Sequence, residues 1–361
     1  MRRTVTLVLA LMLTALCLVL VACGGDSDGD SSGGEASQDA AKADEGASNA
    51  ADGIKTESRT IGVVNLVKVA PIEANTDELL VQAGKALGWN VKVVDGAGDP
   101  QKILAAAQSF VNQNVDALIT TSTEASVLSG ALEAAKQKGI PTISINGGTT
   151  PSPLFTAQYE EDELKMGTQL AEYIKETVEG PQIANLQTTA AVSGKIRDEA
   201  FHEVFPPSAF AAEGQITQAD PVAETTKLLT SMLAAHPDIN VVNAVYDTEV
   251  AAASEVVATE GSDARVYSYF NISTTRELLL DESSALEAVS DTDLSHTGAV
   301  AMNQLLQYFE NEAEIDPEAL EEEPLTYRVV TKETAAEEPP FDNAEVLAPY
   351  LSRWEEEFPA S

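Results

Sequence analysis

Few residues in this chain could do covalent or metal chemistry. There are two cysteines, Cys17 and Cys23, and three histidines, His202, His236 and His296. Cys17 sits inside an apolar run, so Cys23 has no second cysteine in the folded region with which to make a disulfide or a thiolate metal site. The histidines are too scattered to suggest a metal cluster; His236 ends a helical stretch, where the dipole favours a cation, and His202 reads as helical surface. "VVDGAGDP" carries Gly96-Ala97-Gly98 after an apolar run, yet the dinucleotide fingerprint needs a third glycine where Gln101 stands. A tight turn into a helix capped by Asp99 accounts for those glycines. No Walker A, H-E-x-x-H or G-x-S-x-G pattern occurs. The sequence therefore gives no sign of a catalytic residue, a metal or a cofactor.

The chemistry left to Cys23 is set by its neighbours. Arg2 and Arg3 precede a run from Val5 to Ala22 without a charged residue, the layout of a secretory signal. A membrane span is the alternative, since about 20 apolar residues cross a bilayer. Leu20-Val21-Ala22-Cys23 decides between them, because L-V-A-C resembles the lipobox of bacterial lipoproteins. That resemblance implies removal of residues 1–22 and acylation of Cys23 as a membrane anchor. Residues 24–58, rich in Gly, Ser, Ala and Asp and free of aromatics, bury too little apolar surface to offset ordering entropy. With Cys23 they are expected to form an acidic, flexible tether over 23–58.

Acidic residues outnumber basic ones by 58 to 21, for a formal charge of -37. Nucleic-acid binding needs Lys and Arg to neutralise phosphates, so it is excluded, and so is docking of the folded part onto anionic lipid.

From Arg59 onward, apolar runs of strand length alternate with amphipathic stretches of helix length, which predicts parallel sheets covered by helices. "TIGVVNLV", "NVKVVDG", "VDALITT" and "PTISING" read as strands of one unit, with helices at "DELLVQAGKALG", "DPQKILAAAQSFVNQ" and "SVLSGALEAAKQKG" between them. In the second of these helices Ile103, Ala107, Phe110 and Val111 share one face. A similar series runs from "DELKMGTQLAEYIKETV" through "PQIANLQ", "INVVNAVYD" and "RVYSYFNI", giving two α/β units with a natural ligand cleft between them.

"LVQAGKALGWNVKVVDGAGDPQKILAAAQSFVNQNVDALITTSTEASVLSGALEAAKQKGIPTISING" is similar along its length to the first domain of the sugar-type (type I, ribose-binding-like) periplasmic binding proteins of ABC transporters. "LLTSMLAAHPDINVVNAVYDTEVAAASEVVA" and "VYSYFNIS" extend the likeness to the second domain. The resemblance implies two Rossmann-like lobes joined by a three-stranded hinge. The crossings are expected near Gln158, Asp291 to Asp293 and Pro324 to Thr326. The N-terminal lobe is then 59–158 plus 293–324, and the C-terminal lobe 159–292 plus 325–361. Sugar-responsive repressors share the fold, but they need a DNA-binding helix pair and a basic surface that this chain lacks.

Binding residues follow from the same resemblance where motifs align. The family's loop after the first strand carries Pro and ring-stacking aromatics; here Pro71 is kept between Ala70 and Ile72-Glu73, so Glu73 offers a carboxylate that an acidic ligand would avoid. Asn146-Gly147 replaces an Asp-Arg pair. Arg197, in "KIRDEAF", matches a position at the mouth of the second domain, either gripping ligand or packing the domain, with Lys195 competing if the register slips. Tyr246 and Asp247 match an Asn-Asp at a strand end; Tyr246 offers a stacking surface, and Asp247 is either a ligand contact or a helix cap. Asn271 replaces the Asp of the family's F-D-G, which suggests a ligand with mixed polar groups. Asp291 is either a ligand contact or part of a hinge turn, and Trp89 and Trp354 read as packing residues.

The expectation is a lipid-anchored, extracytoplasmic, monomeric solute-binding protein that takes a sugar, polyol or nucleoside and delivers it to an ABC permease in the membrane. A ligand-sensing lipoprotein that signals to a receptor is the alternative, and a nucleotide-dependent oxidoreductase a third.

Overall fold

The computed structural model describes residues 53–68, 70–188, 191–217 and 220–360. The signal segment, Cys23 and the tether as far as residue 52 lie outside the described residues. The first lobe runs β1 (Thr60–Asn65), α1 (Pro71–Ala86), β2 (Asn90–Asp95), α2 (Pro100–Asn112), β3 (Ala117–Thr121), α3 (Ala125–Lys138), β4 (Thr142–Ile145) and β5 (Ala157–Tyr159). Its five strands pair in the order β2-β1-β3-β4-β5, all parallel.

The chain then crosses into the second lobe through α4 (Glu163–Thr177), β6 (Ile183–Gln187), α5 (Val192–Val204), a 3-10 turn at Pro207–Ala209 and β7 (Phe210–Gln215). There follow α6 (Pro221–Ala235), β8 (Val241–Ala244), α7 (Asp247–Glu260), β9 (Arg265–Tyr269), α8 (Ser273–Leu280) and β10 (Leu286–Thr292). Helices α9 (His296–Asn311) and α10 (Ala319–Glu322) return to the first lobe, after which β11 (Tyr327–Thr331) and α11 (Asn343–Glu357) finish the chain. The second sheet has the order β11-β10-β9-β8-β6-β7 and is parallel except for β11, which pairs antiparallel with β10.

Helices cover both faces of each sheet, which is why the inner strands are buried almost throughout rather than on alternate residues. Val63, Ile119 and Ile143 are fully buried against Leu79, Leu80 and Leu305 on one side, while Ile103, Phe110 and Leu132 fill the other. The second sheet is covered by Met166, Leu170 and Phe201 on one face and by Leu229, Val250 and Val257 on the other. Helix α2 lies close over β1: a Cβ on Gly62 would fall 2.6 Å from the Phe110 ring, so glycine sets that spacing. The Asp99 side chain accepts from the Gln101 N–H and Pro100 opens the helix, as its sequence predicts.

The structure departs from the sequence reading in three places. Helix α1 starts at Pro71, six residues before the Asp77 start expected from "DELLVQ". Its N-cap, Ala70, has no side chain to accept a hydrogen bond, so the start has no cap signature, and Pro71 is tolerated in the first turn.

The tether ends before residue 58, because residues 53–58 pack on the first lobe. Ile54 is buried and bridges Pro359, the Lys55 N–H donates to the Phe358 carbonyl at 2.8 Å, and the Trp89 Nε1–H donates to Thr56 Oγ1 at 3.1 Å. These partners are far away in sequence, so composition around residue 54 could not show them.

Helix α11 belongs with the first lobe rather than the second. Leu347, Tyr350 and Trp354 enter the same core as Leu79, Leu305 and Trp89. Residues 332–342 therefore form a fourth crossing beside those at 160–162, 293–295 and 323–326. An amphipathic helix at a chain end names its apolar face but not which core receives it.

Trp354 is fully buried and its indole N–H donates to Asn303 Oδ1 at 2.9 Å. Trp354→Ala is expected to cost about 3–5 kcal/mol of stability, the range for deleting a large aromatic from a core. Urea unfolding followed by fluorescence reads this, and a loss below about 1 kcal/mol would show that α11 adds little to the first-lobe core.

Candidate functional site

Polar side chains gather where strands end at their carboxyl edges, the side on which open α/β sheets bind ligands. In the first lobe Ser122 follows β3, Asn146 follows β4, and Glu73 and Asp77 lie a turn apart at the start of α1. In the second, Tyr246 and Asp247 follow β8, Asn271 follows β9, and Asp291 lies near the end of β10. The lobes are closed on each other. Ile72 of α1 packs into the second-lobe core with Phe270 and Ile272. A groove of about 810 Å3 spans the two, lined by Ile72 and Asn75, by Asn271 and Ser273, by Asp291 and Thr292, and by Phe341 of the fourth crossing.

Glu73 Oε1 accepts from the Ser122 hydroxyl at 2.5 Å, and Oε2 has no partner. Burial pushes its pKa up to about 7; Ser122 and Thr121 oppose the shift, while Asp77 and Asp247 add to it. Asp77 is buried, and burial raises its pKa too, opposed by a hydrogen bond from Asn65. Asp247 is the first residue of α7, with Tyr246 at the N-cap position and no side-chain capping bond. The capping role is therefore not what the structure shows. Asp247 Oδ2 is unpartnered, and burial, opposed by Arg197, brings its pKa to about 6.

Other expected contacts are engaged inside the protein. Asn146, at φ 65°, donates from Nδ2 to Thr76 Oγ1 at 3.3 Å and accepts at Oδ1 from Thr297 at 2.6 Å, joining β4 to α1 and α9. Arg197 is 1% exposed. Its Nε and Nη2 donate to Glu163 at 2.6 and 3.0 Å and its Nη1 donates to the Val245 carbonyl at 3.0 Å. The guanidinium carbon lies 4.3 Å from the Tyr269 ring centre and 5.4 Å from that of Tyr246. Arg197 thus packs the domain, while Lys195 is exposed. Asp291 pairs with Arg328 of β11 at 2.8 Å, and burial still lifts its pKa to about 6.

Tyr246 and Asn271 keep free capacity. The Tyr246 hydroxyl shares a 2.7 Å hydrogen bond with Ser193 and its ring stays half-buried. Asn271 donates from its backbone N–H to Asp291 and from Nδ2 to the Glu338 carbonyl, both at 2.9 Å, and its Oδ1 is unpartnered.

Sequence reasoning placed the first crossing near Gln158 but did not single out the carboxylates of "EEDE" at 160–163, which look like a solvated charge run. Glu160 accepts from Ser144 and Thr149, and burial pushes its pKa up to about 8. Glu161 takes the Gly147 N–H on both oxygens at 3.0 Å, and burial next to Glu163 raises its pKa well above the usual carboxylate range. The available signal was position: these carboxylates directly follow buried Tyr159 at the strand that leaves the first sheet. Among the described residues no helix is long and apolar enough to cross a membrane.

The family described as "Periplasmic binding protein domain" matches residues 61–313. The chain is 25% identical over 242 residues to the ribose import binding protein RbsB of Bacillus subtilis (strain 168), covering 66% of this chain and 75% of that one. It is 27% identical over 187 residues to RbsB of Escherichia coli (strain K12), covering 51% and 62%. In fold it is similar to the 5-methylthioribose transporter solute binding protein of Thermotoga lettingae, with TM-score 0.71, 16% identity and coverage of 82% and 97%. The Caulobacter myo-inositol binding protein gives TM-score 0.68, 16% identity and coverage of 77% and 95%.

Because Glu73, Asp247 and Glu160 hold protons more tightly folded than unfolded, their protonated forms stabilise the folded state. Stability is expected to fall as pH rises from about 4.5, where unfolded carboxylates ionise, through the folded values of about 7, 6 and 8. The melting temperature should be lower at pH 8 than at pH 5. Glu73→Gln should raise it at pH 8 more than at pH 5, by up to about 3 kcal/mol of stability, at 1.36 kcal/mol per unit. A profile unchanged by that substitution would show that Glu73 is hydrated.

Proposed function

The chain belongs to the periplasmic binding protein domain family of sugar-type solute receptors, and from that premise we propose that it captures a small polar solute between its lobes and hands it to an ABC permease. The observation that supports this most directly is Glu73 of one lobe lying within electrostatic reach of Asp247 of the other, with Tyr246 next to Asp247 and Asn271 lining the groove between the lobes. Relatives named for ribose import, 5-methylthioribose and myo-inositol support a ligand of sugar or polyol size.

Closure is driven by the difference in solute affinity between the closed and open states. Asn271 contributes an acceptor, Tyr246 a ring face, and Glu73 and Asp247 two acceptors, so a solute with several donors fits. We read these polar groups as holding a solute, and the protein as a receptor, monomeric and without a cofactor. Arg2, Arg3, the apolar run to Ala22 and Leu20-Val21-Ala22-Cys23 support export and acylation at Cys23, which would hold the body outside the cytoplasm on a tether ending near residue 52.

A thermal-shift panel of sugars, polyols and nucleosides is expected to raise the melting temperature with one class, since a ligand that binds only the folded state stabilises it by mass action. Asn271→Ala should weaken binding of that solute about tenfold, the loss of one hydrogen bond of roughly 1.4 kcal/mol. Metabolic labelling with a fatty-acid analogue should mark the wild type and leave Cys23→Ala unmarked. Labelling of both would put the anchor elsewhere.

A further inference from the structure

Carboxylates and cations are unequal in number at the contact between the lobes. Glu73 and Asp247 come from opposite lobes, each is 8% exposed, and each keeps one oxygen, Oε2 and Oδ2, without a hydrogen-bond partner. Asp77, on the same helix as Glu73, is buried as well, with Asn65 as a hydrogen-bond donor beside it. Around Glu73 stand Ser122, Thr121, Asp77 and Asp247, with no cation among them. The cation felt by Asp247 is Arg197, whose guanidinium is already forked onto Glu163. Lys68 lies near Asp77 but is exposed and shares that surroundings with Asp95.

Two like charges brought together from opposite lobes need a proton or a cation between them. A neutral hydroxyl donates one hydrogen bond and leaves both charges uncompensated. An ammonium group has three donors and a charge, enough for both carboxylates at once. We propose that the solute held between the lobes is an amine, polyhydroxylated or short and aliphatic, whose ammonium group sits between Glu73 and Asp247. The inference rests on the reading of the chain as a solute receptor. It also sets the sign of a pH effect. An ammonium prefers ionised carboxylates, so its affinity rises with pH through the range where Glu73 and Asp247 ionise, about 6 to 7. A neutral polyol that needs protonated carboxylates behaves in the opposite way.

The test is calorimetry on the full chain in detergent with matched pairs that exchange hydroxyl for amine: sorbitol and 1-amino-1-deoxysorbitol, glucose and glucosamine, butane-1,4-diol and 1,4-diaminobutane. The expected result is at least tenfold tighter binding of an amine than of its hydroxyl partner, strengthening from pH 5.5 to 7.5. Glu73→Gln and Asp247→Asn should each weaken the amine at least tenfold while leaving a cooperative melt. Asp77→Asn, which removes a nearby charge, should weaken it less. Tighter binding of a hydroxyl member, weakening as pH rises, overturns the amine and leaves the solute receptor standing. Equal stabilisation by calcium chloride alone also overturns it. Binding by no member, from a protein that melts cooperatively, overturns the amine; the receptor reading falls with it only where the sugar, polyol and nucleoside panel also gives no shift.

Discussion

The second lobe's half of the cleft is organised by one buried ion pair, Arg197 with Glu163. Burial alone would weaken the arginine's charge, and the adjacent carboxylate more than offsets that effect. A pair of this kind adds little to stability compared with apolar packing, yet removing one partner leaves a buried charge and costs roughly 3–5 kcal/mol. Its value here is positional. Glu163 is the first residue of α4, directly after the first crossing; Arg197 belongs to α5; and the Val245 carbonyl lies just before Tyr246 and Asp247. One guanidinium thus fixes the end of a crossing, a helix and a strand end relative to each other. The aromatic rings of Tyr246, Tyr269 and Phe270 surround it at 5.4, 4.3 and 5.0 Å.

That geometry decides which residues are left for a ligand. Arg197 and Asn146 make their hydrogen bonds within the protein and hold backbone in place. Glu73, Asp247 and Asn271 each keep an unpartnered oxygen; Asn271 lines the groove, and Glu73 lies near Asp247 of the other lobe. In a low-dielectric setting, unpaired polar groups are costly, so native proteins rarely keep them without a use. Their number at a lobe contact makes the closed arrangement depend on what else occupies it, and fits a receptor that closes on its solute.

Much of the fold could be read from the sequence because it depends on local periodicity. The strands around Val63, Ile119 and Ile143 are apolar runs of the right length, and Ile103, Ala107, Phe110 and Val111 share a helical face that is buried as expected. Asn271 and Tyr246 could be placed at strand ends for the same reason. What could not be read depends on partners far away in sequence. Glu160, Glu161 and Glu163 look like a solvated run until Thr149, Gly147 and Arg197 are brought to them. Likewise Ile54 needs Pro359, and Trp354 needs Asn303, before either can be assigned to a core. For Arg197 the residue type suits a ligand fork and a packing pair equally, and only Glu163 distinguishes them.

The fourth crossing changes how closure works mechanically. Residues 332–342 leave β11 and run along the groove before α11 joins the first lobe. Contacts hold this strap to both sides: Asn271 donates to the Glu338 carbonyl at 2.9 Å, Arg328 donates to the Pro339 carbonyl at 2.6 Å, and Asn343 donates to the Asn75 carbonyl at 2.8 Å. Arg328 also stacks 4.0 Å from the Phe341 ring centre and pairs with Asp291, so the hinge strands and the strap share one cation. Asn271 is therefore both a cleft residue and a strap contact. A solute that engages its free Oδ1 acts on the side chain that also holds the strap. Such an engagement would couple binding to hinge position through a single amide, and a coupling of that kind moves an equilibrium only as far as the two states differ in their affinity for the solute.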